Sequence, residues 1–289
     1  MVSTRKPFKL PYVRDDVSTL RAVLVAPPSG AIARERPVQG ESNAIADRAR
    51  AQHGILLGRL AAHGINAIKL DADPVAPFGA LCADAALVMA DGAFIMRPSD
   101  IERRREVGVV EAALQSLDIP VVGRIEPPGL LDGGDVLITA ETAYVGVAAP
   151  RASEVGIPRS AHGNEHGREQ FAAYARSRGL KVVEVPLSAE VLRLRSVASL
   201  VDTNTVLCST GLLDADKFAG MQRIDVPRGE DYAAGVLAIG RRRVIANLRF
   251  RETIPILRAA KVWVDAIDLW EFGKIGVTPS TLTLVLKRG

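Results

Sequence analysis

The sequence predicts an α/β protein built from five repeated units that close end to end. Three observations carry this reading. Five segments, 60–70, 114–125, 174–185, 218–227 and 257–267, each run from a helical pattern through a break into a short apolar strand. Four others, 86–96, 135–147, 196–209 and 235–248, each read as two apolar strands joined by a polar turn. The first unit has only one early strand, 21–27, and the last segment, 282–288, returns as its missing partner.

Taken in order, the elements follow from local chemistry. Gly64, Gly179 and Gly220 sit where a helix ending in a left-handed cap needs positive φ. The runs that follow are short and rich in Val and Ile, as buried strands are. Asp91-Gly92 is a hairpin turn signal. Ser99 and Glu102 have capping-box spacing ahead of the second helix. A closed ring of such repeats removes exposed sheet edges. No linker divides the chain, so one domain over 1–289 is expected, with units at roughly 20–80, 81–130, 131–190, 191–230 and 231–289 after an extension over 1–19. The stretches 27–43 and 147–164 are long enough to serve as lids or binding loops.

Composition narrows the function. Charged residues are 24% of 289, hydrophobic residues 48%, and the net charge is +4, ordinary for a globular protein. The basic clusters at 103–105 and 241–243 are short and aromatics are 4%, which argues against nucleic-acid binding. The N-terminus lacks an apolar signal core, and no stretch reaches the roughly 18 apolar residues of a membrane span. A cytoplasmic protein is expected, with a small-molecule substrate, homo-oligomerisation left open, and no nucleic-acid or membrane partner. With Cys82 and Cys208 alone, neither a disulfide framework nor a thiolate metal site is expected.

The most informative motif is Asp132-Gly133-Gly134-Asp135 between apolar residues. It reads equally as a pair of functional carboxylates beside a strand and as a turn held by Asp–backbone hydrogen bonds. With the five-unit organisation, it resembles the dimethylarginine dimethylaminohydrolases of the pentein (guanidino-modifying) superfamily, which also holds arginine deiminases and amidinotransferases. The resemblance runs over roughly 20–287. It is carried by Leu81-Cys82-Ala83-Asp84 (where the family has Glu at Ala83), Met96-Arg97-Pro98 with Arg103-Arg104, Asp132–Asp135, Asp231–Ala234 and Glu271–Lys274. It implies a five-bladed pseudo-symmetric α/β propeller with its active site on the central axis. Asp84, Arg103, His162, Asn164 and Ser280 are the implied substrate-binding positions.

The same resemblance implies a departure. Family enzymes attack the guanidinium carbon with a Cys near the C-terminus, a His acts as acid and base, and carboxylates hold the guanidinium. Ungapped alignment puts Thr281 at the Cys position and Arg193 at the His position. A Thr hydroxyl needs an adjacent base, and an Arg with pKa above about 12 cannot be one. Arg193 either favours an anionic substrate group or pairs with Asp132 or Asp84 as a structural bridge. Buried Cys82 and Cys208 read as packing.

His162-Gly163-Asn164-Glu165-His166 has metalloprotease spacing. Its glycines and its place at a loop-to-helix junction make His162 and His166 substrate-facing or surface residues rather than zinc ligands. No cofactor or resident metal is expected. The function expected is a hydrolase-like enzyme acting on a C–N bond of an amide or guanidino substrate, with Asp132 or Asp135 as base toward water and Arg193, Arg103 and Thr281 orienting the substrate. The alternatives are a catalytically inactive binding protein and a metal-assisted hydrolase.

Overall fold

Helix gives way to strand by one repeated device. In the computed structural model, which describes residues 8–71, 79–148, 163–191 and 193–289, α1 (Ala46–Ala62) follows β1 (Leu20–Val25) and leads to β2 (Asn66–Lys69). Between them Gly64 takes φ +70°, and Ile65 N donates to Leu60 O at 2.9 Å, closing the orphan carbonyl of the last turn. Gly179 (φ +82°) and Gly220 (φ +87°) sit at the equivalent breaks. Where the units lack glycine, Asp118 (φ +57°) and Lys261 (φ +63°) adopt the same conformation.

The second unit comprises β3 (Ala86–Val88), β4 (Ala93–Ile95), α2 (Arg104–Ser116) and β5 (Val121–Arg124). The third holds β6 (Val136–Ile138), β7 (Thr142–Ala148), α3 (Glu165–Ser177) and β8 (Lys181–Leu187). The fourth holds the short α4 (Leu194–Val197), β9 (Ala198–Asp202), β10 (Thr205–Cys208) and β11 (Gln222–Asp225). The fifth holds β12 (Leu237–Gly240), β13 (Arg243–Asn247), α5 (Thr253–Ala259) and β14 (Trp263–Ile267). α6 (Trp270–Gly273) and β15 (Leu284–Arg288) follow.

Among the described residues the strands form five three-stranded sheets, ordered β15-β1-β2, β3-β4-β5, β6-β7-β8, β9-β10-β11 and β12-β13-β14. In each, the middle strand pairs antiparallel with the first and parallel with the third. β15 does complete the first unit, with Leu20 opposite Arg288 and Leu24 opposite Leu284.

Three expectations are corrected. Among the described residues the strands do not join into one closed sheet, so closure does not remove the sheet edges; each of these sheets keeps two. The first strands are buried, whereas the third strands carry exposed Lys69, Arg124, Lys181 and Arg223, charges that discourage edge pairing. The helix expected in the fourth unit is one 3-10 turn, Ala215–Phe218, because the connection from Cys208 to Gln222 is too short for several turns. Ser99 does not cap the second helix. Asp100 accepts from Glu102 N, and Ser99 is turned toward Asp132.

Five apolar cores bind the sheets in pairs. Leu24 and Leu286 pack with Val88 and Ile95; Phe94 with Ile138 and Phe171; Leu137 and Val185 with Leu200; Leu207 with Val244 and Leu257; and Ile239 and Ile245 with Val23 and Leu56. The fifth core brings the last unit's sheet against the first. Each such large side chain, fully buried, contributes about 1.5–3 kcal/mol. Among the described residues no helix is long and apolar enough to cross a membrane.

Candidate functional site

Four of the first strands are entered through a short helical turn: Cys82–Asp84 before β3, Gly133–Asp135 before β6, α4 before β9 and Asp231–Ala234 before β12. These turns and the segments beside them supply the site. Gly133 and Gly134 allow two of them to touch. A Cβ on Gly133 would lie 2.1 Å from Ala83 O, and one on Gly134 would lie 2.5 Å from Asp84 Oδ1. At this contact Gly134 N donates to Asp84 Oδ1 at 2.9 Å. A backbone bridge between Arg97 and Leu131 draws Ser99 alongside Asp132.

The result is a buried chain of ions. Arg103 Nη1 donates to Asp84 Oδ2 at 2.5 Å, and Arg193 Nε donates to the same oxygen at 3.0 Å. Arg193 Nη2 donates to Asp132 Oδ1 at 2.9 Å. Ser99 Oγ and N donate to Asp132 Oδ2 at 2.9 and 3.3 Å. Arg103 Nη2 also reaches Glu106 Oε2 and Leu81 O, both at 3.0 Å. Asp135 Oδ1 accepts Leu194 N at 2.9 Å, which caps α4 and fixes the backbone from which Arg193 extends. Asp84, Asp132 and Asp135 are 0% exposed and Arg193 is 2% exposed.

The electrostatics follow from that burial. At Asp84, desolvation would raise the pKa, but Arg193, Arg103 and the hydrogen bonds hold it below the usual carboxylate value. At Asp132, desolvation prevails over the pull of Arg193, and Asp84 and Asp135 add to it, raising the pKa to about 6. Arg193 is driven further toward its charged form, since Asp132, Asp84 and Asp135 outweigh its desolvation. The cluster holds four carboxylates (Asp84, Glu106, Asp132, Asp135) and two guanidinium groups (Arg103, Arg193). Asp132 is the member at which burial, with Asp84 and Asp135 beside it, favours a proton.

The other expected residues have structural partners. Thr281 Oγ1 donates to Thr278 O at 3.0 Å and accepts Thr278 N at 3.1 Å. Ser280 Oγ donates to Arg195 O at 2.7 Å, tying this turn to the segment that carries Arg193. Asn164 caps α3: its Oδ1 accepts Gly167 N and Leu130 N, and its Nδ2 donates to Pro128 O. It thereby anchors the strand leading to Asp132. His166 and Glu165 are exposed on α3. His162, and 149–162 of the proposed lid 147–164, lie outside the described residues. Among the described residues no group of three His, Cys, Asp or Glu side chains could hold a metal ion.

Burial pushes the Cys82 and Cys208 thiols up to about 12, so both are protonated at neutral pH and neither is an activated nucleophile. The segment 38–45 is pinned to α6 and its flank: Val38 N and Gln39 N donate to Lys274 O, and Glu271 Oε2 accepts Ile45 N and Lys274 Nζ. Ser99 and Glu106 belong to the site but were not expected there. Glu106, three residues after Arg103, had a readable spacing, whereas Ser99 was masked by its fit to a capping box.

No protein-family model matches the chain. It is 29% identical over 248 residues to N(G),N(G)-dimethylarginine dimethylaminohydrolase from Streptomyces coelicolor, covering 83% of this chain and 90% of that one. Its fold matches that of the dimethylarginine dimethylaminohydrolase from Pseudomonas aeruginosa, solved as a cysteine-to-serine mutant complexed with citrulline. There the TM-score is 0.80 at 24% identity, over 92% of this chain and 99% of the other. A saxitoxin-pathway amidinotransferase from Microseira wollei matches with a TM-score of 0.78 at 13% identity, over 96% and 97% of the two chains. By sequence the chain is similar to the dimethylarginine dimethylaminohydrolases, and by fold to those enzymes and to the amidinotransferase.

Proposed function

We propose that this chain is a non-hydrolytic pentein: a cytoplasmic, one-domain, five-bladed α/β propeller over 1–289 that binds a small molecule or protein partner without cysteine-dependent cleavage of a guanidino group. The five cores shared by successive sheets support the ring. The observation that carries the functional reading is the division of the Arg193 guanidinium between Asp84 and Asp132. The residue aligned with the family's acid–base histidine is thus a permanently charged cation already bound on two sides. The residue aligned with its nucleophile, Thr281, spends its hydroxyl on Thr278 of its own turn. A hydroxyl nucleophile needs an adjacent base, and Arg193 is not one.

The test is direct. The purified protein is incubated with methylated arginines, arginine, simple guanidines, ureas and amides, and release of ammonia, amine, urea or citrulline is followed. No turnover is expected. Turnover lost in Asp132→Asn would overturn this reading.

That outcome would favour a second reading, a C–N hydrolase without a Cys nucleophile. The Asp132 pKa near 6 favours it, since a general base works best near operating pH. In that case Asp132 or Asp135 activates water, while Arg193, Arg103 and Thr281 orient an amide or guanidino substrate beside Asp84.

A further inference from the structure

We infer that a cleft at the seam between the last unit and the first is a binding site for a phosphate monoester. Its volume is about 410 Å³, and it is lined by Ser18, Thr19, Gly240, Arg241, Arg243 and Gly289. Small-molecule sites commonly occupy about 300–1,000 Å³. The cleft is separate from the buried chain of ions. β12 leaves the Asp231–Ala234 turn at one end and brings Gly240 to the cleft at the other.

The β12–β13 turn presents two cations. Gly240 lies opposite Arg243, so Arg241 and Arg242 form a two-residue hairpin turn. Arg242, at φ +54°, is committed elsewhere: its N donates to Val201 O, its Nε to Asp202 Oδ2 at 2.7 Å and its Nη1 to Ala260 O at 2.7 Å. The side chains on either side of it have no such ties. Arg241 is exposed and has no ion pair among the described residues. The Arg243 guanidinium lies over Trp263, 5.3 Å from the ring centroid, and likewise has no carboxylate partner among the described residues. His63 braces that ring edge to face at 5.4 Å and is itself held by Asp265 at 2.8 Å.

The facing wall adds to the positive field. Arg288 is 4% exposed and donates from Nη1 to Ser18 O and from Nη2 to Ala238 O. Arg21 Nε donates to Gly289 O. No acidic side chain lines the cleft, and the nearby Asp15 spends its oxygens on Val17 N, Ser18 N and Ser18 Oγ. The exposed Thr19 lines the cleft beside these cations and adds a hydroxyl. Two guanidinium forks and a hydroxyl offer more donors than the two oxygens of one carboxylate can accept. A phosphate monoester, with three terminal oxygens and close to two negative charges at neutral pH, engages both forks.

The test titrates the full-length protein with inorganic phosphate, glycerol phosphate and adenosine monophosphate at pH 7.5 and low salt, followed by calorimetry. Saturable binding is expected, weakened about fivefold in Arg241→Gln or Arg243→Gln and at least about tenfold in the double variant. Equal affinity for the three probes assigns recognition to the phosphate group alone, and a gain for one ester adds its organic part; both support the inference. Affinity should also rise from pH 5 to pH 7.5, as the monoester takes its second charge near pH 6 while no arginine titrates. Dimethyl phosphate, with one charge, and acetate should bind more weakly. Absence of saturation, an affinity unchanged in the double variant, or equal binding of dimethyl phosphate or acetate overturns the inference. Tighter binding of a single-stranded oligonucleotide through the same two arginines overturns the assignment to a monoester.

Discussion

Replacing Arg193 by Met keeps most of the apolar stem and removes the cation. Two charge-assisted hydrogen bonds disappear, one to Asp84 and one to Asp132, each of a kind that contributes about 1.5–3 kcal/mol. The two carboxylates do not suffer equally. Asp84 retains Arg103 and Gly134 N, whereas Asp132 retains the neutral donors of Ser99 and has a pKa of about 6 even beside Arg193. At pH 7.5 a loss of about 3–5 kcal/mol is expected, the range for breaking a buried pair. Without Arg193 the Asp132 pKa rises further, so the variant takes up a proton before the wild type does. Between pH 7.5 and pH 6 its deficit should shrink by about 2 kcal/mol, at about 1.4 kcal/mol per pH unit. Urea unfolding followed by Trp263 and Trp270 fluorescence at several pH values measures both quantities. A deficit below about 1 kcal/mol, or one independent of pH, would refute the reasoning.

The remaining predictions concern the supports of this chain of ions. In the wild type the folded Asp132 value of about 6 lies above the ordinary aspartate value of 3.8, so its contribution to stability falls as pH rises from about 4 to about 6 and is level above that. Asp132→Asn should lack that component in the same unfolding series. Asp135→Ala removes the acceptor of Leu194 N and should cost about 1–3 kcal/mol for a buried unpaired donor, seen as a lower urea midpoint. Gly133→Ala meets Ala83 O and should cost about 1–3 kcal/mol or more, by thermal melting. Glu271→Ala strands the buried Lys274 and frees Ile45 N; it should cost about 3–5 kcal/mol and speed proteolytic cleavage within 38–45.

The alternation of helices and strands was legible because it rests on local chemistry. Gly64, Gly179 and Gly220 mark helix ends by their backbone freedom alone. Asp118 and Lys261 do the same work unannounced: both are exposed, and backbone bonds from Ile119 N to Leu114 O and from Val262 N to Leu257 O close the turn whatever side chain it carries. The site was legible in part for a related reason. Gly133 and Gly134 advertise a close approach, and a bridge from Arg193 to Asp84 or Asp132 followed from charge. That it reaches both depends on three units meeting, which no local pattern encodes. Asn164 and Ser280 show the converse, since a capping amide and a hydroxyl bound to Arg195 O have the same sequence signature as substrate ligands.

The pairing of β15 with β1 has a consequence for biosynthesis. Leu20 lies opposite Arg288, and Arg21 Nε donates to Gly289 O, so the first of the described strands waits for the last of them. β2 covers its other side early, but Leu284 and Leu286, which complete the core against Val88 and Ile95, are made only about 260 residues after β1. At about 5–20 residues per second that interval is on the order of 15–50 s. Throughout it, the nascent chain presents an unpaired strand flank and an open apolar core, and pairing of such high contact order is slow even once the whole chain is free.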